Sequence, residues 1–309
     1  MRAAYQSSAY HEQMHRHLHR RAFLTLPLAL AAQPVTPRID THVHLFAADT
    51  KKFPFHLHAT YQPKPATLED YSLFVKQANI AHAVIVHPEP YQDDHSYLEH
   101  CFANEPSKDF FKGTCLFDAY VTDTPNRIDI LNKKWPNRIR ALRIHRIASA
   151  SQTTGPIRER PLDCPEMRNT WRAIANRGLM IQMHFIPLHA PAIHKLATEF
   201  KSVKVILDHL GRNNQGTDAE WRQVLNLAKS PNTIMKFSGL EYSPNHLEAR
   251  VKQVFEAFGP DRIVWGGLGM DIPSFQKATA DLDRLFAFTT ESNRNKIRGL
   301  NAKQLYGWS

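Results

Sequence analysis

The chain has 309 residues, 42% of them hydrophobic and 22% charged, which is enough for one large α/β domain or two ordinary ones. Its formal net charge of +10 comes from lysines and arginines scattered along the chain, not gathered into a stripe with interleaved aromatics. The charge therefore gives little reason to expect nucleic acid and serves equally well to attract small anionic molecules. With 12 glycines, no low-complexity tract and no repeat of 20 to 50 residues, solenoids and propellers are excluded, and the body of the chain reads as one compact unit. The three cysteines, Cys101, Cys115 and Cys164, are odd in number and far apart, so they form neither a disulfide framework nor a zinc ribbon.

The first 31 residues differ in character from the rest. Arg20 and Arg21 precede an apolar run to Ala32, and Ala29 and Ala31 are the small residues that a signal peptidase needs. This pattern predicts a twin-arginine export signal over 1–31 and a mature domain over 32–309, located in the periplasm or outside the cell. The histidine-rich HEQMHRHLHRR upstream has no core pattern, and Met14 is an alternative start. No segment reaches the roughly 18 uninterrupted apolar residues of a membrane span, so no membrane partner is expected.

After the leader, short β-branched or apolar runs recur at 38–44, 83–87, 113–120, 139–145, 179–184, 203–209, 233–238 and 262–265. Amphipathic segments lie between them at 68–79, 165–177, 190–200, 219–229, 246–258 and 274–288. Strand and helix alternating eight times predict a (β/α)8 TIM barrel, whose active site sits at the C-terminal ends of the strands. The alternative, a doubly wound sheet, is weakened by the lack of a GxGxxG after the first strand. The loop at 47–65, with Phe53, Phe55, His56, His58 and Tyr61, is long for a barrel connection and either covers the site or packs on the rim.

The barrel reading makes a demand on the sequence, namely that chemistry-bearing residues should collect at strand ends. In RIDTHVHLF, His42 and His44 share one face of the first strand, spaced so that both can reach a single ion, and Asp40 has the same parity. His87 ends the second strand, Arg143 and His145 the fourth, His184 the fifth and His209 the sixth, while Lys236 and Ser238 end the seventh.

The motifs IDTHVHLF, MIQMHF, VILDHLGR, IMKFSGLEY and FGPDRIVWGG, in this order and spacing, resemble the amidohydrolase superfamily. The likeness is greatest to the amidohydrolase 2 branch, which holds the 2-pyrone-4,6-dicarboxylate lactonases and sugar-lactone hydrolases, with aromatic-acid decarboxylases as relatives. It covers the chain from Arg38 to Trp308. The resemblance implies that His42, His44 and His184 are metal ligands, for Zn2+ as the divalent ion, although the branch includes members that work without metal. It implies that His209 is a catalytic or substrate histidine and that Arg212 contacts the substrate. Arg143 is a second candidate for holding a substrate carboxylate.

Strand eight departs from the family pattern W-G-S-D-x-P, because Leu268 stands in the aspartate position of Trp265-Gly266-Gly267-Leu268. Asp271, in Asp271-Ile272-Pro273 three residues on, restores the D-x-P signature and is taken as the general base. The expected activity is thus hydrolysis of a carboxylate-bearing lactone or related cyclic ester by activated water. Metal-dependent decarboxylation of an aromatic or unsaturated acid, or ligand binding without catalysis, are the rival readings. A two-metal nuclease lacks the extra carboxylates that it would need.

Overall fold

The computed structural model describes residues 36, 38–147, 160–240, 246–269 and 271–309. The leader expected over 1–31 lies outside the described residues. Eight strands, all parallel and in sequential order β1 to β8, form the barrel. They are β1 Arg38–Val43, β2 Ile80–Val86, β3 Phe111–Cys115, β4 Ile139–Arg146, β5 Met180–Phe185, β6 Val205–Leu207, β7 Thr233–Phe237 and β8 Ile263–Trp265. Eight helices follow them: α1 Leu68–Ala78, α2 Ser96–Ala103, α3 Thr124–Lys134, α4 Pro165–Asn176, α5 Ala190–Glu199, α6 Asp218–Asn226, α7 Leu247–Phe258 and α8 Ile272–Leu285. Two of these, α2 and α3, were not among the expected helical segments. Two short C-terminal helices, α9 Glu291–Asn295 and α10 Asn301–Tyr306, complete the chain. Among the described residues, no helix is long and apolar enough to cross a membrane.

The barrel interior is built in steps of two along each strand, because alternate residues point inward. Its lower part is apolar, with Ile39, Val84, Ala141, Met180, Ile206 and Val264 packed against Tyr306 and Trp308 at the C-terminus. One step higher, the same strands carry Arg143, Gln182, Asp208 and Lys236, all buried. The lower end is therefore plugged and the polar end is the upper one, where the loops are. The 47–65 loop takes the rim alternative. It is pinned by an antiparallel bridge between Phe46 and Ala66, by His56 N donating to Pro90 O at 2.7 Å, and by Phe55 against Tyr91.

Closure between β8 and β1 relies on side chains. Thr41 Oγ1 donates to Trp265 O at 2.7 Å, and Gly267 N donates to Asp40 Oδ1 at 2.8 Å. Asp40 Oδ1 also accepts from His42 N at 2.9 Å, a local bond of the kind that interrupts a ladder, and the β1–β2 register shifts between Asp40 and Val43. The shared parity expected for Asp40 and the two histidines is thereby corrected. The histidines face inward, whereas Asp40 serves the seam.

Burial raises the Asp40 carboxyl to about 6, against the opposing effect of the two backbone N–H groups and Lys236. The folded state thus prefers the protonated form. The stability gained in this way is fully present below the unfolded value of 3.8 and is lost as pH rises through about 6. Asp40→Asn keeps an acceptor for both N–H groups but does not titrate. Between pH 4 and pH 7 the wild type is expected to lose about 2 kcal/mol more unfolding free energy than the variant. Urea titrations of both proteins at the two pH values measure the difference, and parallel pH dependence would refute it.

Candidate active site

Asp208 is the centre of the site, at the end of β6 and fully buried. Its carboxylate lies 3.3 Å from Lys236 Nζ and 3.3 Å from Arg143 Nη2, and it accepts from Gln182 Nε2 at 2.9 and 3.0 Å. Burial alone would push its pKa up. Lys236 and Arg143 outweigh that and hold it below the usual carboxylate range. Lys236 also donates to Thr41 O at 2.9 Å, which ties β7 to β1.

The chain after Asp208 makes an unusual turn. His209, Leu210, Gly211 and Arg212 have φ of 54°, 51°, 63° and 49°, a full left-handed turn. Left-handed backbone costs a non-glycine residue roughly 1–2 kcal/mol, and runs of it are rare. Several contacts offset the strain. Leu210 is buried, His209 Nδ1 and Ser238 Oγ share a hydrogen bond at 3.0 Å, and Arg212 donates from Nε to Gln215 Oε1 and from Nη1 to His184 Nε2, both at 2.8 Å. Glycine is required at 211, since a Cβ there would stand 2.8 Å from Val224 Cγ1.

His42 and His44 meet as their spacing on β1 predicts, with Nε2 atoms 3.2 Å apart. His44 Nδ1 donates to Val86 O at 2.7 Å, which leaves the lone pair of that ring on Nε2. His42 Nδ1 has no hydrogen-bond partner and faces Asp208 Oδ1 at 3.9 Å, the favourable side for its proton. The two Nε2 lone pairs then converge. Two nitrogens bound at about 2.1 Å to one ion would be separated by about 3.0–3.4 Å, so the pair fits a divalent cation. Burial, with the neighbouring cations, lowers His42 well below its ordinary value and brings His44 to about 3, which keeps both rings neutral and able to ligate. His42, Asp208 and His209 form a buried group with donor atoms within 4.8 Å of one another.

Two sequence expectations are corrected by this geometry. His184 offers no free lone pair, because Nε2 accepts from Arg212 and Nδ1 faces His145 Nδ1 at 3.4 Å. Asp271 is the N-cap of α8, exposed, and accepts from Ser274 N at 2.8 Å and from Ser274 Oγ at 3.0 Å. Its carboxylate serves its own helix and not the histidines. The ungapped position falls instead on Leu268, whose N donates to His42 O at 3.2 Å. Asp208 and Gln182 are the site residues that the sequence reading passed over, while Lys236 and Ser238 were marked as strand-end residues without a role. The signal was there, as polar residues at inward positions of otherwise apolar strands. A cavity of about 520 Å³ lies beside the ends of β7 and β8, lined by Ser238, Gly266 and Leu268 and, from α7 and α8, by Leu247, Lys277 and Arg284, and so adjoins the histidine cluster at Ser238 without being lined by the histidines.

A family model described as amidohydrolase matches residues 39–308. An L-fucono-1,5-lactonase of Burkholderia ambifaria is 25% identical over 249 residues, which is 75% of this chain and 80% of that protein. The fold is shared with a probable 2-pyrone-4,6-dicarboxylic acid hydrolase of Acinetobacter baumannii with citric acid bound. That structure has a TM-score of 0.71 at 19% identity, covering 88% of this chain and 99% of the other. It is also shared with an amidohydrolase of Burkholderia multivorans with bound zinc, at a TM-score of 0.62 and 17% identity, covering 88% and 99%.

Gly211→Ala is expected to lower stability by about 1–3 kcal/mol, because the new Cβ both collides and sits at φ +63°. Any lactonase activity should fall with it, since His209 and Arg212 flank the position. Denaturant midpoints and kcat/KM of the variant measure the two effects, and a variant as stable as the wild type would show that the turn tolerates a side chain.

Proposed function

The chain belongs to the amidohydrolase family, and from that membership we propose that it hydrolyses a lactone bearing carboxylate groups. The observation that carries this reading is the excess of fixed positive charge around one neutral histidine cluster. Lys236 and Arg143 lie at Asp208 and Arg212 at His184, three cations against the two carboxyl groups Asp208 and Asp40. Such a site attracts an anionic substrate, and the names of the lactonase and dicarboxylic acid hydrolase relatives accord with it.

In this scheme Arg143 and Arg212 hold the substrate carboxylates, and the buried Arg143 Nε, which has no hydrogen-bond partner, points to the former. A divalent ion, taken as Zn2+ from the imidazole donors, would be held by His42 and His44 with His209 and Asp208 within reach, and supplies Lewis acidity to the ring carbonyl when bound. His209 is the base. The attacking water gives a proton to Ser238 Oγ as that hydroxyl gives its own to His209 Nδ1, and His209 then protonates the departing ring oxygen. Burial, with Arg143 and Lys236 opposing Asp208, holds His209 at about 3 in the free site. A bound dianion offsets the two cations and raises its basicity, so the base is strengthened by the substrate itself. Export through the leader over 1–31 belongs to the same proposal and is tested by the location of the chain with and without it.

The first test is turnover of a panel of carboxylated lactones, followed by acid release and product NMR. Ring opening without CO2 is expected, and CO2 release would overturn hydrolysis in favour of decarboxylation. Elemental analysis of tag-free protein is expected to find about one equivalent of metal, lost in the His42→Ala, His44→Ala double variant. Arg143→Met should lower kcat/KM by roughly 10²–10³-fold, because it removes a substrate contact and leaves Asp208 with one cation fewer. A change under threefold would exclude Arg143 from binding.

A further inference from the structure

At the C-terminal ends of β4 and β5, His145 and His184 pair in register and project from the same side of the barrel wall as Arg143. The hydrogen-bond order along this row fixes where each proton sits. A guanidinium has donors only, so the 2.8 Å contact from Arg212 Nη1 makes His184 Nε2 an acceptor. Burial keeps His184 neutral, and its one proton therefore sits on Nδ1. That proton faces His145 Nδ1 at 3.4 Å, so the Nδ1 of His145 accepts and its own proton sits on Nε2. His145 is 6% exposed and its Nε2 is buried without a hydrogen-bond partner. The row Arg212, His184, His145 thus ends in an N–H with nothing to donate to.

Folded proteins seldom leave a buried donor unpaired, and where they do the vacancy commonly belongs to a ligand. The surroundings agree. The charged and titratable groups facing His145 are Arg143, Asp208, His44 and Arg212, the groups of the site itself. We propose that His145 Nε2–H donates to a carboxylate oxygen of the substrate, completing with Arg143 and Arg212 a three-donor cradle for that carboxylate. Arg212 has a second role in this cradle, since it sets the tautomer of both histidines. The proposal rests on the carboxylate-bearing substrate of the hydrolytic reading, and it reassigns His184 from metal ligation to the relay that orients His145.

Two measurements on the full-length protein test it. Long-range proton–nitrogen correlation of 15N-histidine-labelled protein is expected to show His145 as the Nε2–H tautomer, shifting in the Arg212→Met variant. The Nδ1–H tautomer in the wild type would overturn the proposal. Citrate serves as the second probe, titrated calorimetrically into wild type, His145→Phe and His145→Gln. His145→Phe is expected to weaken citrate at least tenfold with metal content and melting temperature unchanged, and His145→Gln, which restores an N–H, to recover part of the loss. Equal affinity in wild type and His145→Phe, or no citrate binding in the wild type, would overturn it. Citrate binding that depends on His145 in a protein that opens no lactone would leave this site standing and remove only the hydrolytic reading.

Discussion

An ionised carboxylate sealed inside a barrel cannot stand alone, and the consequences of that rule organise this molecule. Asp208 has no access to water, so its charge must be balanced from within. Lys236 and Arg143 supply the balance and Gln182 the hydrogen bonds, from three other strands. Each of these partners reaches further. Lys236 extends to Thr41 on β1, and Gln182 accepts from Thr114 on β3 at 3.0 Å. One buried charge thereby fixes the relative positions of six of the eight strands, and removing either cation would leave the others mismatched by several kcal/mol.

The same arrangement sets the chemistry above it. Lys236 and Arg143 both answer Asp208, and Arg212 stands at His184, so the site carries a positive field that the neutral histidines do not cancel. That field, together with burial, keeps the imidazoles unprotonated. Neutral rings have one lone pair and one proton each, and the fixed partners dictate which nitrogen has which. Val86 O sets His44, and Arg212 sets His184 and, through it, His145. The cluster is therefore divided by function. One part converges lone pairs on a common centre, and another presents a donor.

Strain and small residues hold the parts at close range. The left-handed turn at His209–Arg212 lets two consecutive inward-reaching side chains leave β6 within one turn of chain. Gly266 is needed because a Cβ there would lie 2.7 Å from His42 Cβ, so β8 can approach β1 only without a side chain at that point. The seam bonds of Asp40 and Thr41 then close the barrel where the strand ladder does not.

The sequence by itself determined the barrel and the level of the site. Eight apolar runs with amphipathic segments between them leave few other ways to bury both faces, and the HxH spacing places two imidazoles on one side of a strand. The helix α2 escaped because its eight residues make barely two turns, and α3 because polar residues fill most of its positions, so in neither does a period stand out. The sequence could not decide which polar residues answer one another across the barrel, because Asp208, Lys236, Arg143 and Gln182 lie on different strands and meet only when these close. Nor could it decide the conformation of DHLGR, where a single glycine gives no sign of four left-handed residues, or the fate of Asp271, which the DxP pattern offers as a base and the start of α8 claims as a cap. Local patterns report the period of a segment, whereas charge compensation and tautomers depend on partners distant in sequence. The tertiary structure alone therefore assigned the roles within the site.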